Sequence, residues 1–188
     1  DITSTEVIEK SSAFCRHIDK LPLKVKSSPG FLVNRVLMPT LIEAINMLDE
    51  GCLKEEIDAS FTDFGMPMGP LKLADTVGLD VCYFVMDTIC GELGLEIPER
   101  LERLVENGNL GDKSGVGFYI HDVYAEKTHG NPKPEITSRL VKVMVDECEK
   151  CLSEGIVESA DLVDAGIIFG TGFAPFRGGP LHYSEEKT

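Results

Sequence analysis

The amino-acid sequence predicts a mainly α protein in which two helical units follow each other after a short helix and strand. Apolar residues recur at the spacing of a helix through most of the 188 residues. Only one short stretch alternates apolar and polar residues in the manner of a strand. When the chain is shifted against itself by 104 positions, a long helical pattern near the beginning matches one near the end. We therefore expect a duplicated helical unit preceded by the remnant of a different kind of domain.

The composition is that of a globular protein with a strong acidic excess. Hydrophobic residues make up 43% of the chain and charged residues 27%, and the formal net charge is −14. A nucleic-acid surface needs clustered Lys and Arg, so this charge argues against a nucleic-acid partner. No apolar run reaches the roughly 18 residues of a membrane span, and no signal peptide opens the chain. Because the chain begins with Asp1, we expect a piece of a longer or processed protein.

The cysteines are placed as buried free thiols are. Most of them lie within apolar helical patterns, which is typical of reduced cysteines in a core. The six are Cys15, Cys52, Cys82, Cys90, Cys148 and Cys151. The stretch "CEKC" at 148–151 has the spacing of a redox or zinc motif, but no second CxxC or His pair accompanies it. We therefore predict reduced thiols and no bound metal.

The first 28 residues predict one helix and one strand. The stretch "TSTE" matches a capping box in which Thr3 bonds forward and Glu6 bonds back, and helically spaced apolar residues follow it. Residues 21–26, "LPLKVK", alternate apolar and polar side chains as a strand does. A lone strand is not stable by itself, so we expect residues 1–28 to complete an α/β domain whose other strands lie elsewhere.

The first helical unit follows a Pro-Gly break at residues 29–30. Apolar periodicity predicts helices over 31–50, 54–65, 79–93 and 98–108, with a loop at 65–70 and a glycine-rich loop at 108–119. Pro39 lies within the first of these helices, where it removes one backbone hydrogen bond and favours a kink. Gly51 is placed to end that helix.

A polar link at residues 125–134 leads to the second helical unit. Helices are predicted there over 135–153 and 158–169, before a glycine- and proline-rich end. A link of about ten residues spans about 30 Å when extended, which lets the two units fold back on each other.

Charged and apolar residues recur at equivalent positions in the two units. Arg35 aligns with Arg139, Glu43 with Glu147, Glu50 with Glu154, and the apolar Leu37, Leu41 and Leu48 with Val141, Val145 and Leu152. Only one copy can face an active site, so recurrence of the arginines in both favours a structural ion pair or a carbonyl contact over binding of CoA. Recurrence of Glu43 and Glu147 favours a structural contact over acid–base chemistry in the same way. We expect the two apolar faces to cover each other as an intrachain pseudo-dimer. Asp58 has two candidate counterparts, Asp161 and Asp164.

Four motifs in order resemble one family. They are "SSPGFLVNRV" at 27–36, "FGMPMGP" at 64–70, "LADTVGLD" at 73–80 and "GDKSGVGFY" at 111–119. Together they resemble the NAD-dependent 3-hydroxyacyl-CoA dehydrogenases of fatty-acid β-oxidation, and the tandem units resemble the C-terminal part of the multifunctional β-oxidation α-subunit. The resemblance divides the chain into a Rossmann remnant at 1–28, a first helical domain at 29–122 and a second, partial repeat at 134–188.

The resemblance assigns a role to the junction between the strand and the first long helix. Pro29 and Gly30 would turn the chain out of a sheet, and Phe31 and Leu32 would anchor that turn. Asn34 is then the candidate site residue, because the matching Asn of the family holds the C3 oxygen of the substrate near a catalytic His. An amide suits this role since it donates to an alcohol or a ketone without titrating. The alternative is that Asn34 only caps the helix.

The resemblance also implies parts that this sequence does not contain. In the family, NAD is bound by an N-terminal Rossmann domain whose G-x-G-x-x-G loop and His–Glu dyad have no match here. The histidines, His17, His121, His129 and His182, are isolated. The G-x-G stretches at 115–117 and 170–172 lack the third glycine and a preceding strand, so we reject both as cofactor loops. Lys113 is a candidate for a phosphate of CoA, with a solvated loop lysine as the alternative.

The activity expected from the resemblance is oxidation of a 3-hydroxyacyl-CoA to a 3-ketoacyl-CoA by a longer protein, the 188 residues alone being inactive. The alternatives are an acyl-CoA-binding or oligomerisation module without redox activity, and a related β-hydroxyacid dehydrogenase. The implied partners are acyl-CoA, the Rossmann domain, an enoyl-CoA hydratase domain and a thiolase subunit. A bacterial cytoplasmic location is favoured, with mitochondrial and peroxisomal locations left open.

Overall fold

A computed structural model of the protein describes residues 3–120 and 130–186, and it confirms the mainly α fold class. The helices are α1 (Thr5–His17), α2 (Val33–Asp49), α3 (Lys54–Phe64), α4 (Pro70–Val77), α5 (Leu79–Leu93), α6 (Glu99–Glu106), α7 (Pro134–Ser153), α8 (Ala160–Thr171) and α9 (Pro180–Glu185). Short 3-10 turns lie at Asp112–Ser114 and Pro175–Arg177. Among the described residues, none of the helices has the length and apolar character needed to cross a membrane.

The strand predicted at residues 21–26 is not formed within the part of the chain that the structure describes. The segment has no regular secondary structure, and a backbone hydrogen bond ties it to the rest of the chain, from Lys26 N to Ile156 O at 2.9 Å. Alternation of apolar and polar residues predicts the two faces of a strand, but it does not show whether neighbouring strands are present to pair with it. The described residues offer this segment no second strand to form a ladder with.

The cap of α1 also differs from the prediction by one residue. Ser4, not Thr3, is the N-cap, and its hydroxyl oxygen accepts from Val7 N at 3.4 Å. Glu6 pairs with Lys10 one turn along the helix instead of bonding back to the cap. None of the residues of α1 is buried, and its apolar side chains Val7 and Phe14 lie exposed, as does Ile18, which follows its end.

The long helices of both units form where the apolar periodicity predicts them. The first runs unbroken past Pro39, and Gly51 follows its end with φ +97°. Helices α3, α5, α6, α7 and α8 lie within about two residues of their predicted bounds, the usual uncertainty of helix ends. Residues 121–129, which include the end of the predicted first domain and half of the polar link, lie outside the described residues.

Two short helices were not predicted, one in each unit. Helices α4 and α9 both begin at a proline that follows a glycine, Pro70 and Pro180, and each proline is the last residue of a stretch that the sequence predicts as a loop. The proline fits because the first helical position needs no backbone N–H donor. Helices this short are recognised less from apolar spacing than from the residues that flank them: α6, which also has eight residues, was predicted with the help of Pro98 and Gly108.

An aspartate caps each of these short helices. The Asp58 carboxylate accepts from Leu71 N at 2.9 Å and Lys72 N at 3.0 Å. Asp164 accepts in the same way from the backbone of the second and third residues of α9, at 2.8 and 3.0 Å. The counterpart of Asp58 is therefore Asp164, and the alternative Asp161, which is exposed, is wrong.

The two units pack face to face, with α2 against α7 at the centre. Helix α3 packs on α7 and α8 packs on α2, so that each unit covers the other in the same way. The aligned residues Leu41, Val141 and Val145 are buried between them, and Leu48 and Leu152 are partly buried against the same core. Leu37, which was expected on this face, is only half-buried and lies outside the core cluster.

Ion pairs between α2 and α7 follow the same symmetry. Arg139 donates from Nε to Glu43 at 2.8 Å and from both terminal nitrogens to Glu50 at 2.6 and 3.0 Å. Arg35 makes the matching contacts with Glu147 of α7 and with Glu154, which follows the end of α7. The prediction of structural ion pairs is confirmed, and each arginine is neutralised by the opposite unit.

Burial determines the chemistry of the two thiols in α7. Cys148 and Cys151 are free and fully buried. Burial raises the pKa of Cys151 to about 11 and that of Cys148 further, so both thiols stay protonated at neutral pH. A protonated, inaccessible thiol is inert, which leaves "CEKC" a packing feature of the helix.

Candidate functional site

The turn that leads into α2 has a backbone that only glycine permits at its centre. Phe31 N donates to Ser28 O at 2.9 Å, and both Gly30 and Phe31 adopt positive φ, +74° and +52°. A Cβ atom on Gly30 would lie 2.7 Å from Arg35 N and 2.7 Å from the Ile89 side chain. The glycine therefore supplies both the left-handed conformation and the close approach of the turn to α5.

Only one of the two predicted anchors holds this turn. Leu32 is 2% exposed and belongs to the core, as predicted. Phe31 is 58% exposed, so the expectation that it anchors the turn is wrong. It instead lines an open groove between α1, residues 22–27 and the loop at 155–158 that precedes α8. The chain reverses at Gly30 and Phe31, which leaves Leu32 as the side chain that faces inward.

Asn34 lies in the first turn of α2 with its side chain exposed. The N-cap of this helix is Leu32, and no side chain caps α2, so the cap explanation of Asn34 is wrong. The amide makes no hydrogen bond to the described residues, and it is therefore free to donate to a bound molecule. A helix N-terminus adds a favourable potential for an oxygen that gains negative charge.

Arg35, the next residue, is buried and bound by three other side chains. Its side chain is 4% exposed, and Nε donates to Glu147 at 2.7 Å. The two terminal nitrogens donate to Glu154 at 2.7 and 2.8 Å, and one of them also reaches Ser28 Oγ at 3.2 Å. These contacts hold the pKa of Arg35 above its ordinary range and lower that of Glu154. A planar guanidinium bound on several sides fixes the direction of the helix start.

The remaining candidates do not join this site. Lys113 pairs with Asp80, which accounts for its charge without a ligand. His182 is exposed beside Glu186, at 3.5 Å, and His17 ends α1. His121 and His129 lie outside the described residues.

The glycine-rich loop is built around a buried carboxylate and does not fit a dinucleotide. Asp75 is fully buried and accepts from the backbone N–H groups of Phe118 and Tyr119, both at 2.9 Å. A Cβ on Gly117 would lie 2.1 Å from an oxygen of this carboxylate. Backbone donors that a pyrophosphate needs are thus already used, and the nearby charge is of the wrong sign.

Phe118 and Tyr119 close the loop over the core. Phe118 is buried, and the Tyr119 hydroxyl donates to Asp58 at 2.8 Å. The carboxylate that caps α4 therefore also fixes the end of the glycine-rich loop. Sequence reasoning placed the two aromatic residues here and noted Asp58 as a repeated residue, but it missed the capping role of Asp58 and missed Asp75, because a capping carboxylate has no motif of its own.

The structure thus presents a tandem helical unit that is entered through a Pro-Gly turn and has an exposed Asn in the first turn of its first long helix. Residues 30–121 match the family described as "3-hydroxyacyl-CoA dehydrogenase, C-terminal domain". The chain belongs to the 3-hydroxyacyl-CoA dehydrogenase family.

Relatives matched over nearly the whole chain are larger proteins. The chain is 36% identical to a fatty acid oxidation complex subunit alpha of Shewanella amazonensis over 97% of its own length. It is 38% identical to the protein of the same name from Vibrio cholerae, again over 97%. In both cases the chain spans 28% of the length of the relative.

Solved structures agree on the fold. A 3-hydroxybutyryl-CoA dehydrogenase from Escherichia coli superposes with a TM-score of 0.85 over 98% of this chain and 58% of that one, at 22% identity, which speaks for the fold alone. An (S)-3-hydroxybutyryl-CoA dehydrogenase from Ralstonia eutropha is 37% identical, with a TM-score of 0.61 over 64% of this chain and 44% of that one.

Proposed function

We propose that the protein containing this chain is an NAD-dependent 3-hydroxyacyl-CoA dehydrogenase of fatty-acid β-oxidation, which oxidises a 3-hydroxyacyl-CoA to a 3-ketoacyl-CoA. These residues form its substrate and assembly part. The observation that carries the proposal is the exposed amide of Asn34, presented on a helix start that Gly30 and Arg35 hold rigidly. The family membership and the names of the relatives support it.

Asn34 contributes by binding the C3 oxygen of the substrate. An amide N–H donates to that oxygen in the alcohol and in the ketone, and the contact strengthens as negative charge develops during oxidation. In the family, NAD is the hydride acceptor. We place the NAD site and the general base in parts of the protein outside these residues. We keep the domain division of 1–28, 29–122 and 134–188 as part of the proposal.

The assembly follows from the same proposal. The relatives carry the name of a complex subunit and are more than three times as long as this chain. We place an enoyl-CoA hydratase domain in the rest of the protein, a thiolase as its partner subunit and the complex in a bacterial cytoplasm. The exposed apolar side chains of α1 suit a helix that is covered by another domain.

The test is Asn34→Ala in the full-length enzyme, with Asn46→Ala, an exposed position near the other end of α2, as the control. Loss of a hydrogen bond that tightens in the transition state should lower kcat about a hundredfold or more while KM changes little. The measurement is NADH formation from a 3-hydroxyacyl-CoA. An unchanged kcat in a folded Asn34 variant contradicts the role of the amide.

The same assay separates this proposal from an acyl-CoA-binding module without redox activity. Full-length protein should form NADH, and the 188 residues alone should form none. Acyl-CoA binding without NADH formation by the full-length protein would favour the module instead.

A further inference from the structure

Both neighbours of Asn34 are held by the second helical unit. Val33 packs over Gly170 of α8, where a Cβ atom would come within 2.6 Å of the valine side chain. Arg35 is bound by Glu147 of α7 and by Glu154, the residue that follows α7. The second unit itself has Ser138 at the position that aligns with Asn34. It thus lacks the amide but supports the residues on either side of it.

The beginning of the loop between α7 and α8 also fixes the segment that precedes the turn. Ile156 O accepts from Lys26 N at 2.9 Å. Glu154 holds the Arg35 guanidinium, which in turn reaches Ser28 Oγ on the near side of the turn. Residues 154–156 are therefore connected to the chain on both sides of the Pro-Gly turn.

The aligned ion pair in the other half of the molecule has the same geometry without this connection. The Glu50 side chain is 53% exposed and that of Glu154 is 50% exposed, and each receives two hydrogen bonds from its arginine. In the described residues the Arg139 side chain bonds to glutamates alone. The two pairs therefore differ in the connection to the turn and in the burial of the arginine, whose side chain is 4% exposed for Arg35 and 42% exposed for Arg139.

We propose that Glu154 is a positioning residue for the dehydrogenase reaction, acting through Arg35 to fix the turn at residues 27–32 and the direction of Asn34. The inference rests on the proposed function of Asn34. It assigns the second unit a task in the reaction, although that unit presents no amide to the substrate. The substrate oxygen is then bound by a side chain of the first unit, and a carboxylate that belongs to the second unit fixes the direction of that side chain.

The test compares Glu154→Ala with Glu50→Ala in the full-length enzyme. Misplacement of a contact by about 1 Å costs up to about a hundredfold, so Glu154→Ala should lower kcat between about tenfold and a hundredfold, with a smaller change in KM. Glu50→Ala removes a half-exposed pair of the same kind and should leave kcat within about twofold. Glu154→Ala should lose more thermal stability than Glu50→Ala, because Arg35 is buried and Arg139 is not, so kcat is compared at a temperature at which both variants are folded. Glu154→Gln, whose amide oxygen still accepts from Arg35, should restore part of kcat.

Hydrogen exchange supplies a readout that does not need activity. The amides of Lys26 and Phe31 should exchange faster in Glu154→Ala than in the parent protein, and at the parent rate in Glu50→Ala. Equal loss of kcat in the two variants, or unchanged kcat and exchange in Glu154→Ala, would overturn the inference. If the parent enzyme has no dehydrogenase activity, the proposed function fails, while the exchange rates still decide whether Glu154 fixes the turn. If Glu154→Ala does not fold, Glu154→Gln against Glu50→Gln decides in the same way.

Discussion

Gly30 connects backbone conformation to the placement of the substrate contact. Its positive φ and its close approach to Arg35 and Ile89 are separate constraints, and a side chain violates both. Gly94, which ends α5 with φ +65°, has the first constraint alone, because no atom lies within 4 Å of its missing Cβ. The two glycines therefore allow the cost of the contact to be separated from the cost of the conformation.

Gly30→Ala should destabilise the chain by about 2–5 kcal/mol, as left-handed strain and overpacking add. Gly94→Ala should cost about 1–2 kcal/mol, from the conformation alone. Urea unfolding of the two variants measures the difference. Equal costs would show that the turn relaxes away from Arg35 and Ile89 without loss.

At the scale of the elements, α2 and α7 are joined by two ion-pair clusters that differ in burial. The Arg35 and Glu147 side chains are 4% and 5% exposed, whereas that of Arg139 is 42% exposed. Removing one partner of a buried pair leaves an uncompensated charge, and removing an exposed partner leaves a solvated one. Lys150, 2.9 Å from Glu147, offsets part of the loss in the buried cluster.

Arg35→Met should therefore cost about 3 kcal/mol of unfolding free energy. Arg139→Met, its aligned control, should cost about 0–1 kcal/mol. Denaturant midpoints at neutral pH give the comparison. A larger loss in the Arg139 variant would mean that burial does not set the energies of these clusters.

The same elements show what sequence patterns can and cannot predict. Helices of eleven residues or more repeat their apolar spacing often enough to be recognised, and recurrence of Arg35 as Arg139 identified both as structural. The exposure of Phe31 escaped prediction because a positive φ outside glycine has no sequence signature. The strand at 21–26 failed for another reason, since pairing depends on residues far away in the chain. Asn34 was found by a family motif, and the support it receives from α7 and α8 is visible only in three dimensions.

At the scale of the molecule, the two units form one core. Leu41 of the first unit and Val141 and Val145 of the second are buried between α2 and α7, and both Arg35 and Arg139 are neutralised across that boundary. A unit deprived of its partner would expose this face and the unpaired charges together. The arrangement is that of a dimer interface within one chain, where the tether keeps the partner at high effective concentration.

Deletion of residues 131–188 should therefore make the first unit dimerise or aggregate, while the 188-residue chain stays monomeric at the same concentration. Sedimentation velocity over a concentration series distinguishes the two. A deletion product that remains a soluble monomer at high concentration would contradict the pseudo-dimer.

The crossed ion pairs also constrain how such a gene can change. Each arginine pairs with carboxylates of the other copy, so a substitution in one copy changes which residues are tolerated about a hundred positions away. Exchange of one copy between related genes would therefore succeed only where the incoming copy has the arginine and the two glutamates that pair with those of the copy that stays. Chimeras of this kind should fail in pairs of parents whose arginine or glutamate positions differ, even where every apolar residue is matched.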